Sequence, residues 1–160
     1  MAIHEAAADD VEAITAVARL SWNHDYPEIL SRDTVEQGVE EWYSPETITA
    51  EIDSDDAVVP VAKRESEVVG FTHAVEDETG GTVLRVYVVP DHRGDGIGSD
   101  LLEHAREKLA DRGAGQLRAM VLAENEPGNE FYRRLGFELH ERNETRIGDE
   151  TYRENVYIDG

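Results

Sequence analysis

One stretch constrains this chain more than any other: Val83-Leu-Arg-Val-Tyr-Val-Val-Pro-Asp-His-Arg-Gly-Asp-Gly-Ile-Gly-Ser-Asp-Leu-Leu102. Its first part is β-branched and aromatic, which suits a pleated strand. Pro90 has no N–H to give to a ladder and ends the strand. Beyond the glycines, Ile97, Leu101, Leu102, Ala105 and Leu109 share one helical face, with Asp100, Glu103, Arg106 and Glu107 opposite. A strand, a glycine turn and a helix start make a place to hold phosphate. The first-turn N–H groups have no partner inside the helix and point outward at the positive end of its dipole. Glycines let a ligand approach that backbone, and Arg93 brings a positive charge to the mouth. Taken alone, the loop is equally an ordinary glycine-rich turn.

With 160 residues the chain is expected to form one domain, 1–160, large enough to bury a real core. It contains no apolar run long enough to span a bilayer and no basic-then-apolar leader, so no membrane association is expected. Cysteine is absent, which removes disulfides and thiolate metal sites. The six histidines have no ligand-like spacing, and no metal is assigned. The expectation is a soluble cytoplasmic protein.

The charge is unusual. Fifteen Lys and Arg stand against thirty-six Asp and Glu, a net −21. Only Lys63 and Lys108 are lysines. The acidic residues are scattered rather than gathered in a tail, and the 39% apolar content argues against disorder. A hydrated acidic surface whose self-repulsion is screened by salt points to a halophilic source. The competing reading is a surface for a basic partner, whereas nucleic-acid binding is disfavoured by the charge.

Along the chain, Ile3 and His4 suit a first strand. Asp9 or Asp10 can cap a helix striped by Val11, Ile14, Val17 and Ala18 and running to about Ser21. Trp22 to Pro27 breaks that pattern. A second helix starts at Asp33 with Val35, Val39 and Trp42 inward, and Ser44-Pro45-Glu46 opens a third. From Ala57 the period becomes two. Ala57 to Ala62 and Glu67 to Glu76 read as strands joined by a turn at Lys63 to Ser66. A polar tip from Asp77 to Gly81 completes an antiparallel meander. Arg112-Gly113 stops the central helix, Leu117 to Ala123 is a fifth strand, and a short helix runs from about Pro127 to Leu135. Phe137 to Asn143 and Thr151 to Ile158 form a last pair around a turn near Gly148. A Rossmann-type domain with Glu124 on a ribose is the alternative. The spacing Gly94-x-Gly96-x-Gly98, with Ser99 next, and the meander both count against it.

Arg93-Gly-Asp-Gly-Ile-Gly98 directly after Val86-Tyr-Val-Val-Pro90 resembles the signature of the GCN5-related N-acetyltransferase (GNAT) superfamily. The later run Asn125-Glu-Pro-Gly-Asn-Glu-Phe-Tyr132-Arg-Arg-Leu-Gly-Phe137 is similar to that family's Asn-x-x-Ala-x-x-x-Tyr element followed by Leu-Gly-Phe. The likeness is good from Val68 to Phe137 and only in outline elsewhere. It implies an α/β fold on a mixed, mostly antiparallel sheet flanked by helices, with splayed central strands.

The resemblance also implies acetyl-CoA as cosubstrate and a primary amine as acceptor. The pyrophosphate would lie on the N–H groups of Gly94, Asp95, Gly96, Ile97, Gly98 and Ser99. The pantetheine arm would run beside Val86, Tyr87 and Val88. An N–H of Val86 or Val88 would polarise the thioester carbonyl. Asn125 would bond the pantetheine, cap the short helix, or both. Tyr132 would be the general acid that protonates the leaving thiolate. Some members carry a glutamate base five residues before the asparagine. Here Met120 stands there, leaving His73, Glu76, Glu124 or water. The acceptor pocket would draw on Trp22, His24, Tyr26, Trp42 and Tyr43, and the resemblance leaves a homodimer open. A non-catalytic acyl-CoA sensor is the competing function.

The charge yields a test. On dilution from molar KCl, circular dichroism should show a clearly lower melting temperature or loss of structure. Unchanged stability in low salt would revive the basic-partner reading.

Overall fold

The computed structural model describes residues 2–26, 30–77, 80–147 and 150–159. The first strand is β1 (Ala2–Glu5), and the stripe beginning at Val11 forms α1 (Val11–Asp25). This helix runs past the expected end near Ser21. Trp22 lies one turn beyond Ala18 on the same face and is only 1% exposed, while Asn23 and His24 are that helix's solvated side. Pro27, in the expected break, lies outside the described residues. Helices α2 (Arg32–Tyr43) and α3 (Pro45–Asp53) start at serine caps. The hydroxyls of Ser31 and Ser44 accept from the Thr34 and Thr47 N–H groups, so α2 opens before Asp33. Tyr43 takes the core position, and Trp42 is only half-buried.

The expected strand from Ala57 splits into β2 (Ala57–Val58) and β3 (Pro60–Arg64). Pro60 cannot donate, which interrupts the ladder there. A tight turn through Glu65 and Ser66, both at positive φ (52° and 71°), leads into β4 (Glu67–Asp77). Strand β5 (Gly80–Val88) follows, although 78 and 79 of the expected polar tip are not among the described residues. Then come α4 (Ile97–Asp111), β6 (Leu117–Leu122) and α5 (Glu126–Arg134). The chain ends in a ribbon of β7 (Glu138–Ile147) and β8 (Glu150–Asp159). The ribbon is longer than expected because Ile147 is buried against α2, and Gly148 lies outside the described residues. Gly38 in α2 permits that approach: a Cβ there would stand 2.5 Å from the Trp22 ring and 3.0 Å from Ile147.

The sheet order is β1-β3-β4-β5-β6-β8-β7, with β2 also on β4. Among the described residues only β5 and β6 run parallel; the other pairs are antiparallel. This mixed sheet, flanked by helices, is not the parallel βαβ repeat a Rossmann domain requires. Helices α1 to α3 cover one face, where Ile14, Val17, Trp22, Val39, Tyr43 and Ile48 pack with Phe71 and Leu122. Helix α4 covers the other face through Leu102, Ala105 and Leu109. Each such buried aliphatic side chain contributes about 1.5–3 kcal/mol.

Two features position the site. Strands β5 and β6 pair only at Gly81–Leu117, Thr82–Arg118 and Val83–Ala119, and then separate. The register against β4 jumps at the same place: Arg85 pairs with His73 but Val83 with Ala74, leaving Leu84 as an extra residue. A β-bulge bends its strand and increases its twist, and here it carries β5 away from β6. The second feature is Asn129, 1% exposed, which ties α5 to the sheet. Its Nδ2 donates to the carbonyls of Leu122 (3.0 Å), Ala123 (3.3 Å) and Asn125 (2.7 Å). Its Oδ1 accepts from Asn155 Nδ2 and the Tyr157 hydroxyl, both at 2.7 Å.

Asn129→Ala would orphan two buried donors at about 1–3 kcal/mol each. A destabilisation of about 2–6 kcal/mol is expected from these terms, read from the denaturant midpoint at constant high salt. A change below about 0.5 kcal/mol would show that α5 is held otherwise.

Candidate active site

Where β5 and β6 part, a cavity of about 550 Å³ opens between them. Its floor is polar backbone. The Val89 N–H donates to the Val69 carbonyl, and alternation along the antiparallel pair then turns the N–H groups of Val86 and Val88 away from β4, toward the gap. No β6 residue pairs with them. The Val88 carbonyl is taken by Arg93 Nε at 2.8 Å. Val86 and Val88 set their side chains against the α4 side, while Tyr87 packs on the α1 side.

At one end of the cavity lies the glycine loop. Gly94 (φ +86°) and Gly96 (φ +83°) hold left-handed conformations, and a Cβ at either would meet nothing within 4 Å. Glycine is needed there for conformation and for an open approach. Gly96 caps α4 without any side-chain hydrogen bond, and the first helical bond is from Asp100 N–H to the Gly96 carbonyl. The N–H groups of Ile97, Gly98 and Ser99 are therefore free to bind an anion. Gly94, Gly96, Ile97, Gly98 and Ser99 all line the cavity, with the Ile97 side chain buried as an anchor. Asp95 is turned outward, accepting from Arg64 at 3.0 Å, and is not part of the lining. Arg93 does line it, but its guanidinium grips Asp25 of α1 with two bonds of 2.6 and 2.9 Å. Its charge is thus matched within the protein, and the donors the loop leaves open to an anion are backbone N–H groups.

Farther along, Asn125 caps α5: its Oδ1 accepts from the Gly128 N–H at 3.1 Å. Tyr132 stacks on Tyr157, with ring centroids 6.0 Å apart, and its ring is 4% exposed. Its hydroxyl bonds no described residue, and the residue lines the cavity. Burial, with a smaller effect from Tyr87, raises the phenol well above its usual range, so it stays protonated.

The opposite wall is aromatic. Tyr87 hydroxyl accepts from Trp22 Nε1 (2.8 Å) and from the Tyr43 hydroxyl (3.0 Å), joining α1, α2 and β5. Of the residues expected to form an acceptor pocket, Trp22, Tyr26, Trp42 and Tyr43 line the cavity and His24 does not. None of the three side chains considered as a base reaches it either. His73 is 3% exposed and accepts from Arg85 at 3.1 Å; burial and that permanent cation lower it to about 3. Glu51, 3.3 Å from the His73 ring, is held instead by Arg85. Glu124 is exposed, and Glu76 sits at the paired end of β4 beside Gly81.

Asp25, Arg85 and Glu154 are among the lining residues that went unread in the sequence. Asp25 fell in the stretch expected to break the helical pattern. Arg85 stacks 4.9 Å from the Tyr43 ring but reads as an ordinary strand cation. Glu154 lines the cavity from β8, where nothing in its local sequence sets it apart. Asn129, though off the cavity, had a signal: it stands one helical turn after Asn125, on the same face of the short helix.

Known proteins share this architecture. Residues 55–139 match the family described as acetyltransferase (GNAT) domain. The spermidine N(1)-acetyltransferase of Thermoplasma acidophilum is 28% identical over 143 residues, 87% of this chain and 89% of that protein. A mycothiol acetyltransferase of Thermobifida fusca is 32% identical over 83% of this chain but only 42% of its own length. Among solved structures, the PaiA N-acetyltransferase of Thermoplasma acidophilum in complex with coenzyme A superposes with a TM-score of 0.84 at 27% identity, covering 96% of both chains. The family match spans more than half of the sequence, so the chain belongs to the GNAT acetyltransferases, as an N-acetyltransferase with acetyl-CoA as cosubstrate.

Proposed function

We propose that this protein transfers an acetyl group directly to a primary amine, with Tyr132 as general acid. The observation that carries the reading is Tyr132, a buried residue lining the cavity beside an open strand edge, whose hydroxyl bonds no described residue. Acetyl-CoA supplies an activated acetyl thioester. The N–H groups of Gly94 to Ser99 hold its pyrophosphate, and those of Val86 and Val88 bind the arm and the thioester carbonyl. Capping α5 through Oδ1 leaves Asn125 Nδ2 for the pantetheine. Tyr132 gives its proton to the departing sulfur.

For the acceptor, the likeness to a spermidine acetyltransferase supports an aliphatic polyamine. The same reading takes residues 1–160 as one acetyltransferase domain of a salt-rich cytoplasm, supported by the −21 charge.

Two variants test this. Gly96→Glu places a side chain and a negative charge in the loop, and calorimetry should show CoA binding lost. Gly96→Ala carries only the left-handed strain of about 1–2 kcal/mol and should bind CoA more weakly but measurably. Equal, undiminished binding by both would remove the loop from the phosphate site. Tyr132→Phe keeps the ring and should leave CoA affinity intact while the maximal rate falls about 10–10³-fold. Tyr157→Phe should do much less to the rate. Parental turnover by Tyr132→Phe, with chemistry limiting, would make Tyr132 a packing residue. CoA binding without acetylation of any amine would favour an acyl-CoA sensor.

A further inference from the structure

Among the described residues, the charges around the cavity are matched in pairs, with one exception. Arg93 is held by Asp25, Arg134 by Glu130 at 2.7 Å, and Arg85 by Glu51 at 3.3 Å. The remaining carboxylate in the lining, Glu154, meets no cation and accepts no hydrogen bond among the described residues. It is half-buried.

Its place in the sheet explains both facts. Asn155 and Tyr157 turn toward α5, where they bond Asn129, so alternation sends Glu154 to the opposite face. There it pairs in register with Leu122 of β6 on one side and Asn143 of β7 on the other. Met120 lies two residues along β6 on the same face, within diagonal reach. None of these three is charged, and Glu141, on the corresponding diagonal of β7, is another carboxylate, paired with Arg118. A carboxylate drawn partly out of water without a partner costs free energy that a cation would recover. The acceptor of an N-acetyltransferase arrives as that cation.

Building on the acetyl-transfer reading, we infer that Glu154 receives the acceptor ammonium and is the base that deprotonates it. The ammonium ion-pairs with the carboxylate and yields one proton to it. The freed nitrogen then bonds to the acetyl carbon as that carbon's bond to sulfur breaks. A second proton leaves nitrogen as the amide forms. One proton passes through Glu154 to solvent, and one ends on the thiol, so a free CoA thiol, an N-acetyl amine and one proton leave. Burial raises the Glu154 carboxyl above its ordinary value, which brings its basicity closer to the task.

The test is Glu154→Gln, nearly isosteric and so compatible with the strand, assayed by thiol release with spermidine and with a simple alkylamine from pH 6 to 10. The wild type should show an acid limb in kcat/KM. Glu154→Gln should lose about 10²–10⁴-fold and that limb, regaining rate as rising pH supplies free amine, and Glu154→Asp should recover part of the loss. Calorimetry should find CoA affinity unchanged and spermidine binding to the CoA-bound protein weakened. Wild-type rate and pH profile in Glu154→Gln overturn the assignment. So does a raised spermidine KM with unaltered kcat and pH dependence, which would mark a mere anchoring charge. A wild type that binds CoA but acetylates neither amine overturns the amine reading itself, and this assignment with it.

Discussion

The parting of β5 from β6 is the constraint on which the rest of the structure depends. A sheet normally closes every backbone pair it can, since an unpaired buried N–H or C=O is costly. Here pairing stops after Val83, and the extra residue at Leu84 bends β5 away. The gap exposes a row of N–H groups, gives the N-terminus of α4 an open approach, and lets Tyr132 and Glu154 look into one cavity from different elements. Without the bulge, β6 would continue beside Tyr87 and Val88, and the cavity would be sheet.

Holding a gap open requires bracing on both sides. On the β5 side, the hydroxyl of Tyr87 gathers Trp22 and Tyr43, and Arg93 ties the end of the strand to Asp25 of α1. On the β6 side, Asn129 binds the strand's last carbonyls to α5 and to β8. Both braces are buried or half-buried polar networks whose members are nearly all satisfied, which is the condition for rigidity in such a network.

Electrostatics follow from the same economy. A chain of net charge −21 repels a polyphosphate at long range, and its few arginines near the cavity are already paired. In the proposed reading anion recognition therefore falls to backbone N–H groups, whose charge is fixed and carries no counter-ion. For a cationic amine the overall field is attractive.

Much of this was legible in the chain itself. The alternation from Ala57, the stripes of α1 and α4, the serine cap of α3, and the glycine loop are local signals, set by side-chain periodicity and backbone stereochemistry. They set the order of elements and marked the loop, and the resemblance to the GNAT family added Asn125 and Tyr132 as site candidates. The charge and the missing lysines were equally plain. Tertiary structure decided what depends on distance rather than order. It spent the Arg93 charge on Asp25, turned Asp95 to Arg64, buried His73 under Arg85, and carried Glu154 from the last strand to the cavity. No local pattern encodes those pairings, because each joins residues far apart in sequence through the register of the sheet. Sequence alone determined which elements form; the sheet determined which charges are answered and left Glu154 without a partner among the described residues.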